Sequence, residues 1–363
     1  MTSLDALLTP APVVDVERLE RNVARMADYT AAHGLALRPH VKTHKSPRVA
    51  RAQLERGAAG VTCATPRECE VMATVTGDVL LAYPPVGAPR LARLMALPRD
   101  VRLTVAVDDA SQVGALALAA AAAGREVGVY VELDVGMHRV GVADADAAIA
   151  LARAVRRHAT LRYEGVMFYP GHVREHVDRQ GDALAALDAS LDRSLAALAR
   201  AGVAPGVVSG GSTPAAWAMH RLRGVTEVRP GTYVYNDRTT AEIGACAWDD
   251  CALTVLATVV STAVPGQAVI DAGTKALGRE PVRGGADDGW GALLDRPEVV
   301  VSRMSEEHGI LDLSRTSWRP TVGERIRVVP NHVCIVVHLN DEVVGVNAAG
   351  DVVERWEVAA RGR

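Results

Sequence analysis

Short apolar runs rich in β-branched residues alternate with alanine-rich amphipathic stretches from Leu35 to about Gly231. The runs predict strands, and the stretches between them, in which apolar residues recur at helical spacing, predict helices. The predicted strands cover residues 35–42, 60–65, 79–85, 102–108, 126–136, 162–171, 206–211 and 226–231. Eight such strand-then-helix units predict a parallel (β/α)8 TIM-type barrel. An open doubly wound sheet is the alternative, although no GxGxxG motif follows the first strand.

The pattern changes after Gly231, where short apolar runs follow one another without long helices. These runs predict strands at residues 251–263, 267–277, 296–305, 323–330, 332–340, 341–347 and 351–358. The segment 278–295 is rich in glycine and charge and is predicted to form a loop. We therefore predict a barrel domain at residues 1–235, whose first residues are candidates to join the second domain, and a C-terminal all-β domain at residues 236–363.

The composition narrows the classes of partner. The chain has 363 residues, 49% of them hydrophobic and 23% charged, and a formal net charge of -3, which gives no general field for nucleic acid. No run of about 18 apolar residues is available to cross a membrane, and the first residues do not have the pattern of a secretory signal. The five cysteines, with no CxxC pair, are typical of reduced thiols. We expect a cytoplasmic protein that binds small molecules.

An unusual run of cations closes the first predicted strand. Its members are Arg38, His40, Lys42 and His44. If strand alternation continues through the run, these four share one face and Lys45 lies on the other. A buried charge costs several kcal/mol unless it is paired or neutralised. Either this face binds an anionic ligand, or the strand is exposed and its charges are solvated.

Two glycine-containing turns follow the seventh and eighth predicted strands. The first consists of Ser209, Gly210, Gly211, Ser212 and Thr213. The second contains Gly231 and Thr232. Backbone N–H groups and hydroxyls in such turns can surround an anion, and barrels frequently bind phosphate near these two strands. One such turn alone is more often a simple helix cap, but the pair indicates a phosphate site.

These motifs resemble, in the same order, those of the fold-type III pyridoxal-phosphate (PLP) enzymes, which share their barrel with alanine racemase. Within that group the chain resembles the D-threonine aldolase and D-serine dehydratase family. RPHVKTHK resembles the strand whose lysine carries PLP, here Lys42, and ELDVGMHRVG resembles the segment whose arginine supports the cofactor, here Arg139. SGGST and VRPGT resemble the phosphate turns, and MSEEHG and PNHVC resemble C-terminal signatures. The resemblance covers nearly the whole chain.

The resemblance assigns Lys42, rather than Lys45, to the covalent bond with PLP. That bond needs an uncharged amine, which neighbouring cations such as Arg38 and His40 would favour. His40 is expected to lie against the cofactor. His44 and Lys45 are either structural or paired with carboxylates.

Three more residues receive roles in this interpretation. His172, just past the sixth predicted strand, is the candidate catalytic base, with a loop-capping role as the alternative. Tyr169 is expected to orient the cofactor or substrate, or simply to fill the mouth of the barrel. Arg229 matches the arginine that alanine racemases place against the pyridine nitrogen.

PNHVC places His332 and Cys334 two residues apart, so on a strand they would share a face. An imidazole nitrogen and a thiolate are suitable ligands for one zinc ion. An isolated HxC pair is weak evidence, but the resemblance implies a divalent metal beside PLP, with manganese or magnesium as other possibilities. Many D-threonine aldolases have an aspartate as the second ligand, whereas Cys334 resembles the dehydratase pattern.

The expected function is therefore that of a PLP- and metal-dependent lyase of D-3-hydroxy amino acids. Retro-aldol cleavage to glycine and an aldehyde, as by D-threonine aldolase, is the first prediction, because FYPGHV, RPGTYVYND and PNHVC resemble that branch most. The alternative is a D-serine or D-3-hydroxyaspartate dehydratase, which yields a 2-oxo acid and ammonia. A racemase ranks third, since its tyrosine motif is not found, and the β-domain argues against a non-catalytic PLP carrier. The resemblance also implies a homodimer.

Overall fold

The computed structural model describes residues 2–282 and 289–362. The chain forms two compact units. The barrel unit consists of residues 25–174, 178–231 and 360–363, and the β unit consists of residues 1–24, 175–177 and 232–359.

Strands and helices alternate through most of the barrel unit, and strands predominate in the β unit. In chain order, the strands of the described residues are β1 (Thr2–Ser3), β2 (Ala11–Asp15), β3 (Ala36–Leu37), β4 (Val61–Cys63), β5 (Asp78–Leu81), β6 (Arg102–Val107), β7 (Val127–Leu133), β8 (Leu161–Phe168), β9 (Val207–Gly210), β10 (Glu227–Val228), β11 (Leu253–Ser261), β12 (Gln267–Ile270), β13 (Gly291–Leu293), β14 (Arg296–Met304), β15 (Gly309–Asp312), β16 (Arg325–Pro330), β17 (Glu342–Val346) and β18 (Asp351–Glu357). The α-helices are α1 (Val16–Ala32), α2 (Pro47–Glu55), α3 (Pro66–Met72), α4 (Ala88–Met95), α5 (Ala110–Ala123), α6 (Ala145–Arg156), α7 (Gly181–Arg200), α8 (Arg238–Glu242), α9 (Thr274–Leu277) and α10 (Val333–Leu339). Short 3-10 helices cover Leu4–Ala6, Val41–Thr43, Val177–Arg179, Ala216–Arg221, Thr232–Val234 and Trp248–Asp250.

The barrel unit is built on one parallel sheet. Its eight strands lie in the order β3, β10, β9, β8, β7, β6, β5, β4. A parallel bridge between His40 and Thr62 joins the segment after β3 to β4 and closes the circle. The predicted (β/α)8 barrel is confirmed, and all eight predicted strands are present, although the first and the eighth contain only two residues each.

Local sequence explains why these elements form. Every residue of β7 is buried, as expected for a parallel strand covered on both faces. The side chains of Thr65 and Asp109 accept hydrogen bonds from backbone N–H groups at the start of α3 and α5. Gly124 ends α5 in the left-handed conformation, with a φ of 58°. Part of the barrel core consists of Leu80, Ala106, Tyr130 and Met167.

The β unit confirms the predicted all-β domain. Strands β11, β12, β15, β14, β13 and β16 pair in that order, and β16 pairs back onto β11, so that the six form a closed antiparallel ring. Strand β2 pairs with β11 and also with β17. Strand β17 in turn pairs with β18, and β18 pairs with β1. The pairing of β2 with β17 is parallel.

One predicted strand is wrong. Within the predicted strand 332–340, Val333–Leu339 forms helix α10. The buried positions of this helix are Val333, Val336 and Val337, a helical spacing that a short run of β-branched residues conceals. Strand propensity is weak enough for the surrounding structure to override it.

Smaller departures concern the ends of other predicted elements. Thr274–Leu277, predicted as the end of a strand, is helix α9. The predicted loop 278–295 includes strand β13, while residues 283–288 of it lie outside the described residues. Strands β1, β2 and β15 are not among the predicted strands. No helix in the described ranges is long and apolar enough to cross a membrane.

Candidate active site

A cavity of about 610 Å³ lies in the barrel unit, where the carboxyl ends of several strands meet. Among the residues that line it are His40, Lys42, Glu132, Arg139, Tyr169 and Arg229. Five of these six are predicted site residues, drawn from widely separated parts of the sequence. The barrel therefore brings most of the predicted cofactor-binding residues to one place, as parallel barrels do at this end.

Lys42 lies on the 3-10 turn Val41–Thr43. The side chain of His40, which precedes this turn, accepts a hydrogen bond from the backbone N–H of Lys42. The Lys42 Nζ atom is 5.7 Å from the centroid of the Tyr169 ring, and the Arg139 guanidinium is 4.8 Å from the same centroid. Burial, together with the charges of Lys42 and Arg229, holds the pKa of His40 well below its usual value. His40 is therefore a neutral side chain among cations.

The predicted alternation of the cationic run is wrong, because β3 ends at Leu37 and the chain then turns. His44 is buried; its Nδ1 accepts a hydrogen bond from Ser46 N at 3.1 Å, and burial lowers its pKa to about 3. Lys45 adopts a φ of 52° and forms a buried ion pair with Glu68. Neither side chain is among the residues that line the Lys42 cavity.

Arg38 is buried in the barrel and paired with two carboxylates. Its Nε atom is 2.7 Å from Glu227 Oε2, and its Nη1 atom is 2.6 Å from Asp78 Oδ1. Burial by itself would lower the pKa of Arg38, but the charges of Glu227 and Asp78 raise it above its usual value. This cation is already neutralised, so it does not meet the anionic ligand that the sequence suggested.

Ser209 links this ion pair to the cavity. Its hydroxyl donates to Glu227 Oε1 at 2.5 Å and accepts from Arg229 Nη1 at 2.6 Å. Arg229 Nη2 also donates to the carbonyl of Phe168 at 2.9 Å. The Ser209 side chain is thus engaged with Arg229, which it helps to hold at the cavity.

The rest of the first phosphate turn is buried. Gly211 has a φ of 98°, which favours glycine, and a Cβ atom on Gly210 would lie 2.1 Å from the ring of Phe168. The hydroxyl of Ser212 is buried and has no hydrogen-bond partner within the described part of the chain. Thr213 is buried as well. A buried hydroxyl without a hydrogen-bond partner is unfavourable unless a ligand supplies that partner. This turn therefore fits the phosphate of PLP.

The second turn allows a close approach of the Lys42 segment. A Cβ atom on Gly231 would lie 2.9 Å from Thr43 Oγ1 and 3.0 Å from the carbonyl oxygen of His40. Only glycine leaves this space open. Thr232 begins the 3-10 helix Thr232–Val234 of the β unit.

Glu132 is a site residue that the sequence analysis missed. Its side chain is buried in β7 and lines the cavity. Burial raises the pKa of Glu132 to about 7, although the charges of Arg229 and Arg139 oppose this. A glutamate within the apolar run VGVYVEL was the available signal, because glutamate is seldom fully buried without a specific reason.

His172 is not brought into the Lys42 cavity. It is exposed, and its ring lies against Gly136, where an added Cβ would be 3.3 Å from Cε1 and Nε2. Within the described residues it is not among those that line the cavity. Its role as a base remains a prediction.

The predicted metal ligands lie together at the start of α10. His332 precedes the helix and Cys334 is its second residue, so the expected strand geometry is absent. His332 Nδ1 is 3.0 Å from Asp237 Oδ2, and the histidine is also hydrogen-bonded to Cys334. Burial alone would lower the pKa of His332, but Cys334 and Asp237 raise it well above its usual value.

Asp237 is a further residue that sequence reasoning missed. A metal-binding histidine normally donates its second ring N–H to a carboxylate, and Asp237 occupies that position. Among the described residues no group of three or more histidine, cysteine or acidic side chains could hold a metal. The donor set is therefore one nitrogen and one sulfur, with an orienting carboxylate, and it fits a metal that keeps open positions.

Comparison with known proteins agrees with this geometry. The family model described as the alanine racemase N-terminal domain matches residues 14–239, and the putative serine dehydratase domain matches residues 252–346. The D-threo-3-hydroxyaspartate dehydratase of Delftia sp. (strain HT23) is 39% identical over 361 residues, 92% of each chain. The chain belongs to the D-threonine aldolase and D-serine dehydratase family of fold-type III PLP enzymes. Another member of this family, the D-threonine aldolase of an Arthrobacter species, is 33% identical over 98% of this chain and 93% of the relative.

Solved structures of the family show the same fold. The D-threonine aldolase from Filomicrobium marinum has a TM-score of 0.90 and 35% identity, and covers 99% of this chain and 97% of that one. The Delftia dehydratase also has a TM-score of 0.90, with 36% identity over 98% of this chain and 99% of that one. The predictions of the family, of its fold, of PLP as the cofactor and of a PLP-dependent lyase are confirmed.

Proposed function

We propose that the chain is a lyase of D-3-hydroxy amino acids, with retro-aldol cleavage to glycine and an aldehyde as its first candidate reaction. The observation that carries the proposal is the single cavity that brings the amine of Lys42 together with Arg139 and Arg229. Relatives along nearly the full length act on D-threonine or 3-hydroxyaspartate by name. A substrate of this class fits a cavity that contains both an amine and fixed cations.

Several residues of the barrel site have distinct tasks in this proposal. Lys42 would hold PLP through its aldehyde, and Ser212 would donate a hydrogen bond to the phosphate. When bound, PLP supplies an electron sink that weakens the bonds at the substrate Cα. Lys42 Nζ can then accept or return a proton at that carbon, while Arg229 is fixed by Ser209 and the Phe168 carbonyl. Neutral His40 packs in the same cavity without adding charge.

We also propose that His332 and Cys334 hold a divalent metal, with zinc preferred because of the thiolate. Solved structures of D-threo-3-hydroxyaspartate dehydratase include one variant that replaces a histidine and another that replaces a cysteine two positions later, and the latter is described as a metal-free form. The spacing equals that of His332 and Cys334. A metal there would act as a Lewis acid toward the substrate hydroxyl.

Metal content provides the test of this second site. Cys334→Ala should contain no stoichiometric metal by mass spectrometry, and Asp237→Asn should bind metal roughly 10- to 100-fold more weakly because His332 loses its orienting partner. Cys63→Ala, at a buried thiol of the barrel unit, is the matched control. Wild-type metal content in Cys334→Ala would rule out the assignment.

Dehydration is the second candidate reaction, and specific observations favour it. The Delftia dehydratase shares 39% identity with the chain, against 33% for the Arthrobacter aldolase. The cysteine ligand follows the dehydratase pattern, and the base expected for aldol cleavage, His172, is not among the described cavity-lining residues. Loss of the hydroxyl requires a proton acceptor at Cα, for which Lys42 is the candidate, and an acid for the departing hydroxide, which the proposed metal would supply.

Product analysis separates the two reactions. The PLP-loaded protein is incubated with D-threonine, D-phenylserine, D-serine and D-3-hydroxyaspartate, and with the L-enantiomers as controls. Glycine with an aldehyde identifies the aldolase, whereas ammonia with a 2-oxo acid and no glycine identifies the dehydratase. Consumption of none of the D-substrates would refute the proposed function.

We further propose a cytoplasmic homodimer that binds neither nucleic acid nor membranes. The support is the family's usual assembly, implied by the resemblance, and the net charge of -3. Light scattering during size-exclusion chromatography tests the assembly, and a monomer at micromolar concentration would contradict it.

A further inference from the structure

Arg90 is a cation at the Lys42 cavity to which the reaction described so far assigns no task. It lies in the first turn of α4, after the loop that follows β5, and lines the cavity of about 610 Å³. Its guanidinium lies 5.1 Å from the centroid of the Tyr83 ring, and Nη1 donates to the carbonyl of Val86 at 2.8 Å. Stacking and this hydrogen bond hold the guanidinium in place while leaving most of its N–H donors available.

The neighbouring Arg93 provides a comparison, because its guanidinium already has a carboxylate partner. Arg93, one turn later on α4, contacts both carboxylate oxygens of Glu70, at 2.7 and 2.8 Å. Across the described ranges Arg90 has no carboxylate within ion-pair distance. The two arginines also line an adjoining cavity of about 400 Å³, so there is space for a ligand group beside Arg90.

The other cations of the Lys42 cavity already have tasks. Arg229 is bound to Ser209 and to the Phe168 carbonyl, and it lies near Glu132. Arg139 stacks on Tyr169 and is the residue that supports the cofactor by resemblance. A second carboxylate on the substrate would therefore find its free partner in Arg90, whose planar fork suits a carboxylate. The methyl group of D-threonine would gain nothing from it.

We propose that Arg90 binds a carboxylate in the substrate side chain, so that the enzyme prefers D-3-hydroxy amino acids with a second carboxylate to neutral ones. This inference rests on the proposed function and extends it to the substrate class and to the residue that selects it. Arg90 acts as a specificity-determining residue and takes no part in breaking a bond, so its effect belongs to both candidate reactions.

The test compares wild type, Arg90→Gln and Arg93→Gln, with D-3-hydroxyaspartate and D-threonine as substrates. Substrate loss is followed by chiral chromatography, which registers cleavage and dehydration equally. Wild type should favour the dicarboxylate by at least about 10-fold in kcat/KM, and Arg90→Gln should lower that value for the dicarboxylate by about 10- to 100-fold, mainly through KM. For D-threonine the same variant should change kcat/KM by less than about 3-fold.

Arg93→Gln is the matched control, because it removes a neighbouring charge that already has a partner and should preserve the substrate ratio. Arg90→Lys should restore part of the preference, since it keeps the charge and loses the fork. Inhibition constants for D-aspartate and D-alanine give a second readout without turnover. The preference for D-aspartate over D-alanine should be lost in Arg90→Gln and kept in Arg93→Gln. Circular dichroism and PLP absorbance confirm folding.

Two kinds of failure are distinguishable. Equal wild-type values for the two substrates, or a parallel loss for both in Arg90→Gln, would overturn the role of Arg90 and leave the lyase intact. No loss of either substrate with wild type would overturn the proposed function together with this inference.

Discussion

The two ends of the barrel differ in whether their cationic side chains are paired with carboxylates. Toward the amino ends of the strands, Arg38 contacts both Asp78 and Glu227, and Arg102 contacts Glu164 at 2.8 Å. At the carboxyl ends, Lys42, Arg90 and Arg139 line or border one cavity, and in the described part of the chain none of them forms an ion pair with a carboxylate. The same sheet therefore has a neutralised end and a cationic end.

The difference separates charges that serve folding from charges that serve binding. Burial of a charge is tolerated when a partner of opposite sign and further hydrogen bonds satisfy it, as for Arg38. Cations without such partners raise the local positive potential, which suits a ligand that carries phosphate and carboxylate groups. Altering residues at each end provides direct tests of this division.

The largest effect is expected for Lys42→Ala at the cationic end. Loss of the amine should abolish the covalent PLP adduct that borohydride reduction traps, and should lower turnover by roughly 10⁴-fold or more. Mass spectrometry of the reduced protein checks the adduct. Lys45→Met is the control; it should retain the adduct but lose stability, because Glu68 is left buried and unpaired. An adduct at Lys45 in the Lys42→Ala protein, or loss of the adduct in Lys45→Met, would reverse the assignment.

Glu227→Leu tests the neutralised end. It leaves Arg38 with a single carboxylate partner and removes the acceptor for the Ser209 hydroxyl. We expect the free energy of unfolding to fall by about 3–5 kcal/mol, as for other buried pairs that lose one partner. Urea denaturation monitored by circular dichroism measures it. An unchanged midpoint would show that the buried pair does not contribute to folding.

Glu132→Gln examines the one acidic side chain named in the cavity lining. The pKa of Glu132 is raised from 4.5 to about 7, so the folded protein binds more protons than the unfolded chain between these values. The stability it contributes below about pH 4.5 is therefore lost as pH rises through about 7, by up to about 3 kcal/mol.

The PLP-free Glu132→Gln variant should accordingly be more stable than wild type at pH 8 and similar near pH 4. Denaturation curves across this pH range check the sign. Greater stability of wild type at pH 8 would mean that Arg139 and Arg229 hold the carboxylate ionised in the folded state.

Arg102→Ala should have the smallest effect. About half of the Arg102 side chain is exposed, at 49%, so its contacts with Asp78 and Glu164 are screened by water. We expect a loss below about 1 kcal/mol. A loss of unfolding free energy as large as that of Glu227→Leu would show that Arg102 and the buried Arg38 pairs act as one network. The expected small loss would mean that the exposed contacts of Arg102 add little to the buried pairs.

Much of the fold was predictable because its signals are local. Eight β-branched runs mark the barrel strands, and capping residues such as Thr65 and Asp109 mark helix starts. The failure at residues 332–340 has an equally local cause, since a run with six apolar residues is compatible with either a strand or a short helix. The choice there was made by the packing of Val333, Val336 and Val337.

The candidate site was predictable only in part. The order of motifs indicated Lys42 and the glycine turns. The strand alternation that placed His44 on the face of Lys42 is wrong because the chain turns after β3, whereas Lys45 pairs with a carboxylate, as the sequence analysis allowed. Asp237 and Glu132 were missed because each acquires its significance from residues far away in the sequence. Asp237 meets His332 across 95 positions.

By itself, the sequence determined which segments become strands and helices and which family's motifs they contain, because side-chain periodicity and turn chemistry act over a few residues. Only the tertiary structure decided which charges are neutralised and which remain available. The Arg38–Glu227 pair joins residues 189 positions apart. Such a contact exists only when the barrel closes, and the pairing of buried charges is therefore a property of the assembled fold.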